Sequence, residues 1–131
     1  MNMQEIFGEN IFTYSRADAI ADGVLIDVSE TAREAGIKFP VAVTEAVWRG
    51  YVEVPSGVQC QDEVGRLWDI LWMLRYAISK GANTNLLNFA LHVRNHNRDS
   101  LTQHDLIDMK AVCGPGDDAA PVITIMLPEE D

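Results

Sequence analysis

The chain is poor in basic residues and cysteine, and it has no long apolar run. Among its 131 residues, 10 are Lys or Arg and 20 are Asp or Glu, which gives a net charge of −10. Such a charge repels nucleic-acid phosphate and acidic membrane surfaces, so we expect no direct nucleic-acid binding. Because no stretch of about 18 apolar residues occurs, we also expect no membrane span.

The two cysteines, Cys60 and Cys113, lie far apart and form no Cys-x-x-Cys motif. Two such thiols in a reducing compartment are usually small apolar residues, and we expect both to be free. The first residues, MNMQEIFGENIF, lack the basic and long apolar regions of a secretory signal. The expected location is therefore the cytoplasm.

The length and composition predict one domain over residues 1–131. A chain of this size buries a core without disulfides or metal, and 47% apolar with 23% charged residues is ordinary for a globular protein. The acidic excess lies at both ends. The first 36 residues hold seven acids against Arg16 and Arg33, and no basic residue follows Lys110.

Short, well-bounded elements are predicted in the first half. Ser15 is an N-cap residue for a helix that ends before Gly23, and the β-branched run 24–28 predicts a strand. Ser29 is expected to cap a second helix, 30–35. After a short apolar segment, 41–43, Thr44 is expected to cap a third helix that ends at Tyr51.

The strongest helix signal is 62–79, which opens with two acids and whose second half is apolar nearly all round. Such a helix is central in a fold or lies in an oligomer interface. Trp68 and Trp72 stand one turn apart on it. We expect them in the core, and a homodimer that buries them is the alternative.

Three strands are predicted after this helix. Residues 87–93 and 106–113 alternate between apolar and polar side chains, and 122–127 has no polar face apart from Thr124. The last segment is therefore expected to be an interior strand. Together these patterns predict an α+β domain, in which short N-terminal helices and one long central helix pack on a small antiparallel sheet formed by a C-terminal meander.

A group of charged residues opens the long helix: Asp62, Glu63, Arg66 and Asp69. One interpretation is a carboxylate site, used either for proton transfer or for binding a hard cation. The other is a first helical turn whose acids match the helix dipole and form intrahelical ion pairs. We favour the second interpretation. Gly65 keeps the first open, since a glycine inside a helix can mark close approach of a ligand or of another backbone.

The segment 114–120 contains Asp117 and Asp118 and is interpreted as a hairpin turn with an exposed contact surface. Its aspartates would repel phosphate, and it lacks the Gly-Lys-Ser/Thr ending of a phosphate-binding loop. His92 and His96 lie about 13 Å apart if both are on one strand, too far to share an ion with each other. We therefore expect no metal and no cofactor, and no motif indicates a catalytic residue.

Several segments together resemble a known family. They are FGENIFTYSRADAIADGVLIDVSETAREAG, AVTEAVW, QDEVGRLWDILWM, and GPGDD followed by PVITIMLPEED. The chain resembles a family of small proteins with a domain of unknown function that are carried on bacterial plasmids, integrative elements and phages. The resemblance implies a mobile-element setting and supplies no catalytic residue.

Three functions remain open in this order. The first is a non-enzymatic accessory protein of a mobile element that binds a protein partner, with inhibition of a host defence system as one form, because a charge of −10 suits docking on a basic surface. The second is a small-molecule or nucleotide-binding module with a pocket near Arg16, Asp27 and Asp62. The third is a metal-dependent hydrolase that uses Asp62, Glu63 and Asp69.

Overall fold

A computed structural model describes residues 14–81 and 84–131. Within these ranges, four α-helices and five strands follow one another. The helices are α1 (Arg16–Ala21), α2 (Ser29–Glu34), α3 (Glu45–Val47) and α4 (Glu63–Lys80). The strands are β1 (Leu25–Asp27), β2 (Val41–Thr44), β3 (Leu86–His92), β4 (Leu106–Pro115) and β5 (Pro121–Met126). A π-helical turn (Trp48–Val52) continues α3, and a 3₁₀ turn (Gln103–Asp105) precedes β4.

The strands form one sheet in the order β1-β2-β5-β4-β3, so the predicted α+β class is confirmed. Strands β3, β4 and β5 make the expected antiparallel meander. The sheet as a whole is mixed, because β2 pairs with β5 in parallel. The chain between those two strands includes α4, β3 and β4, which is the long crossover that parallel pairing needs.

Strand β5 lies between β2 and β4, as its apolar sequence predicted. Strand β2 was recognised only as a short apolar segment, and its residues Val41, Ala42 and Val43 have no exposed surface. The hairpin loop is shorter than predicted. Gly114 and Pro115 continue β4 opposite β5, which leaves 116–120 as the connection.

One face of the sheet carries the core. Phe89 lies opposite Met109, and Ile125 lies between Ala111 and Val43 in neighbouring strands. Helix α4 buries one side against the core, through Leu67, Ile70, Leu71 and Leu74. A fully buried aliphatic side chain of this kind contributes about 1.5–3 kcal/mol, so α4 is a principal source of stability.

Two of the predicted helix caps are confirmed. Ser15 and Thr44 accept hydrogen bonds from Asp18 N–H and Val47 N–H. The prediction that Ser29 caps α2 is wrong, since Val28 occupies the N-cap position. The Ser29 hydroxyl instead donates to the Asp27 carboxylate and accepts from Val41 N–H, so it links the ends of β1 and β2.

Both cysteines are free thiols. Among the described residues, each helix is too short or too polar to cross a membrane.

Candidate interaction surfaces

Arg16 and Asp117, which are both candidate surface residues, meet at the N-terminus of α1. The Asp117 carboxylate accepts hydrogen bonds from the backbone N–H groups of Arg16 (2.8 Å) and Ala17 (3.0 Å). The Arg16 guanidinium turns to β5, where it donates to Thr124 Oγ1 (2.7 Å) and to the carbonyl of Ile123 (2.8 Å). The β4–β5 loop is thereby attached to α1.

These contacts change the proton affinity of both groups. Hydrogen bonds from Ala17 and Arg16 lower the pKa of Asp117. Partial burial lowers the pKa of Arg16, while Asp27 and Asp117 act in the opposite direction. Because the guanidinium already donates to two groups of β5, it is committed to holding α1 on the sheet.

Asp118 has a different role from its neighbour. Its carboxylate accepts a hydrogen bond from Ala120 N–H at 3.1 Å within the hairpin loop, and its side chain is exposed. Both aspartates of the loop are exposed, and they differ in that Asp117 caps α1 whereas Asp118 bonds to the backbone of its own loop.

The carboxylates at the start of α4 do not form a joint site. Asp62 is the N-cap, and its Oδ1 accepts from Gly65 N–H at 2.7 Å. A Cβ on Gly65 would lie 3.3 Å from that oxygen, so this glycine is close to the cap of its own helix. Within the described ranges, 14–81 and 84–131, no group of three His, Cys, Asp or Glu residues could hold a metal ion.

Arg66 is buried, with 5% of its surface exposed. It lies on the same face of α4 as the buried residues Ile70 and Leu74, at positions i, i+4 and i+8. Arg66 is therefore not part of an exposed partner surface. Its guanidinium donates to five oxygens at 2.6–3.4 Å, which belong to Tyr51, Val52, Gln61, Arg94 and Asn95. Arg66 thus connects α4 to the π-helical turn and to the segment after β3, and the expected intrahelical ion pairs with Asp62 and Asp69 are not formed.

A second polar cluster, which was not among the predicted site residues, surrounds Asp105. This carboxylate is buried, accepts from Thr102 N–H at 2.7 Å and lies 2.8 Å from His96 Nε2. The Thr102 hydrogen bond and His96 lower the pKa of Asp105 from 3.8 to about 2. The sequence signal for this cluster was the Thr-x-x-Asp capping box at residues 102–105, a motif that predicts the start of a helical turn and not a functional site.

Trp68 and Trp72 stack on each other along α4, with ring centroids 6.3 Å apart. Trp68 is partly buried against the core, whereas Trp72 is 48% exposed and lies beneath the Arg75 guanidinium. Tyr76, one turn further, is 55% exposed. The predicted aromatic pair is therefore divided between the core and a surface that faces the edge of β3.

Charge is segregated between two parts of the molecule. Residues 64–113, which include nearly all of α4 with β3 and most of β4, hold six basic and four acidic residues, a net charge of +2. Residues 16–47 and 114–131 together hold eleven acidic and three basic residues, a net charge of −8. We call the part formed by α1, β1, α2, β2, α3 and the C-terminal segment 114–131 the acidic half.

Hydrogen bonds attach the acidic C-terminal segment to α1 and to β2 in the acidic half. Asp117 binds α1, and Glu130 accepts from the Thr44 hydroxyl at 2.8 Å at the end of β2. Glu130 also accepts from Leu127 N–H, which folds the C-terminal segment back. The parallel pairing of β2 with β5 thus places the acidic C-terminal segment beside α1 and the end of β2.

This fold and these surfaces define a small α+β module with a charge-segregated exterior. The chain belongs to the family of unknown function DUF6573, whose model matches residues 1–131. Comparison with curated proteins and with solved structures gave no match.

Proposed function

We propose that the protein is a non-enzymatic accessory protein that binds a protein partner through its acidic half. The single observation that carries the proposal is the charge segregation, −8 in the acidic half against +2 in residues 64–113, because it concentrates like charge in one part of the molecule. Exposed acids there include Glu30 and Glu34 on α2 and Asp118 in the hairpin loop. A partner with a basic surface is the chemical match.

The contacts at the two chain ends support a preformed surface. The carboxylates of Asp117 and Glu130 accept hydrogen bonds from α1 and from the end of β2. These bonds hold the acidic neighbours, Asp118 and Glu129, in place. A preformed charged surface raises the association rate and selects partners of opposite charge.

The resemblance to proteins of plasmids, integrative elements and phages supports a mobile-element setting for the proposed activity. In that setting the partner is a host or element protein whose basic surface normally binds nucleic acid. The acidic half occupies that surface and thereby inhibits the partner. A host defence protein is the form of partner that we favour.

The two alternative functions have less support. The small-molecule hypothesis depended on a free Arg16, and that side chain donates to Thr124 and Ile123. The hydrolase hypothesis required Asp62, Glu63 and Asp69 to converge, and Asp62 instead caps its own helix.

The experiment is an affinity purification from the natural host with the full chain as bait. Its matched variant is Glu30→Gln with Glu34→Gln, which neutralises two exposed acids of α2. The control is Asp99→Asn, an exposed acid in the part of net charge +2. We expect a basic partner that is retained by the control, is lost from the double variant and dissociates as salt rises. A partner that binds all three baits alike would contradict the proposal.

A further inference from the structure

Strand β3 forms one edge of the sheet and pairs only with β4 within the described residues. Two backbone hydrogen bonds, from Cys113 N–H to Asn85 O and from Val93 N–H to Asp105 O, show which residues of β3 direct their backbone groups toward β4. With a period of two, Leu87, Phe89 and Leu91 bond to β4, and Asn88, Ala90 and His92 direct their backbone N–H and C=O groups outward. Those outward groups have no protein partner in the part of the chain that the structure describes.

This edge lies beside a partly apolar groove. Helix α4 runs along β3 in the opposite direction, and two adjoining grooves of about 310 and 350 Å³ separate them. Trp72, Met73 and Tyr76 form the helical wall of these grooves, and Ala90 lies on the strand side of both. An unpaired edge next to exposed aromatic side chains is a surface to which another strand can add.

The groove carries opposite charges at its two ends. Asp69 lies at the end near His92, and Lys80 lies at the end near Leu87 and Asn88. They are eleven residues apart on α4, which corresponds to about 16 Å along the helix. This separation prevents Asp69 and Lys80 of one chain from pairing with each other.

We propose that a second copy of this chain occupies the groove, with β3 of each copy adding antiparallel to β3 of the other. A two-fold axis at Ala90 places Asn88 of each copy opposite His92 of the other. The three facing pairs form about six backbone hydrogen bonds and join the two sheets into one. A second copy fits because the same rotation brings the Asp69 end of each groove to the Lys80 end of the other.

The location of the groove also favours self-association. It lies in the part of the molecule with a net charge of +2, so the two acidic halves are on the far ends of the joined sheet. Ala90 has a small side chain, which allows close approach at the axis. The dimer leaves the acidic half of each copy available to a partner, so the two proposals fail independently.

A charge exchange tests the register. In sedimentation equilibrium of the full chain, we expect the wild type to be dimeric and Asp69→Lys or Lys80→Asp alone to weaken the dimer about tenfold, because each reversal places like charges together at both ends. The double variant restores the opposite pairs, and its Kd should return to within about threefold of the wild-type value. Glu53→Lys, an exposed reversal outside the groove, is the control and should leave the dimer unchanged.

A proline variant tests the edge itself. Ala90→Pro removes an outward N–H and leaves the bonds to β4 intact, so circular dichroism should show a folded chain while the dimer is lost. A wild-type chain that is monomeric at roughly 100 μM would overturn the proposal, since even weak dimers form at that concentration. A dimer that survives both Ala90→Pro and the single charge reversals would also overturn it, because another surface would then hold the copies together.

Discussion

Asp117 caps the helix that begins at Arg16, a residue 101 positions earlier in the chain. The carboxylate accepts from two of the backbone N–H groups that an α-helix leaves without intrahelical partners. Its negative charge also lies at the positive end of the helix. A loop that its sequence predicted to be a hairpin turn with an exposed contact surface thus also stabilises the first helix.

We predict that Asp117→Asn lowers the thermal stability and that Asp118→Asn does not. The amide at position 117 is neutral and offers one oxygen in place of two, whereas an amide at position 118 can still accept from Ala120 N–H. The expected decrease in Tm for Asp117→Asn is roughly 2–5 °C. Differential scanning calorimetry of both variants checks this, and equal Tm values would contradict the assigned cap.

The second prediction concerns acid. The pKa of Asp105 is about 2 in the folded protein, below its ordinary value of 3.8. The charged carboxylate therefore contributes stability that is fully present above about pH 4 and is lost as the pH falls toward 2. We expect Asp105→Asn to be less stable than the wild type at pH 7 and to show a shallower loss of stability between pH 4 and 2. Urea denaturation at several pH values measures this, and parallel curves would refute it.

The third prediction concerns the buried arginine. Arg66→Ala removes the donor from the carbonyls of Tyr51, Val52 and Arg94, and we expect a loss of about 3 kcal/mol in the free energy of unfolding. Arg66→Lys keeps the charge but lacks the planar, multidentate guanidinium, so it should recover only part of that loss. Urea denaturation gives both values. Full recovery by lysine would show that the charge alone matters.

The fourth prediction concerns the turn after α2. Gly36 has φ +93°, and a Cβ there would lie 2.8 Å from Nε of Arg75 on α4. Gly36→Ala should therefore cost about 1–2 kcal/mol in the free energy of unfolding, from backbone strain and from displacement of Arg75. Gly50→Ala is the matched control, because a Cβ at Gly50 meets no atom within 4 Å. A similar loss of stability in both variants would contradict this explanation.

Local signals in the sequence predicted the local elements well. Ser15 and Thr44 have side chains that satisfy backbone N–H groups a few residues away, and both caps are present. The long helix has its N-cap at Asp62 and ends at Lys80, one residue beyond the predicted end. Ser29 was misassigned because its hydroxyl could bond either to the start of α2 or to the ends of β1 and β2. In the structure it bonds to Asp27 and Val41 at the strand ends.

The candidate site was harder to predict, because the role of a charged residue depends on what folds against it. Arg66 was grouped with Asp62 and Asp69 by helical spacing, yet its phase relative to Ile70 and Leu74 places it in the interior. Helical periodicity contained that information. The carbonyls that it binds belong to segments on either side of α4 in the chain, and only the folded chain brings them to it.

By itself the sequence determined the α+β class, the helix and strand periods and the excess of acid at both chain ends, because these depend on residue type and short-range spacing. The tertiary structure alone decided that β2 pairs in parallel with β5, that Asp117 caps α1 and that β3 is an edge beside Trp72. Each of these depends on contacts between residues far apart in the chain. Their energies come from burial and from hydrogen bonds that exist only after the sheet has formed.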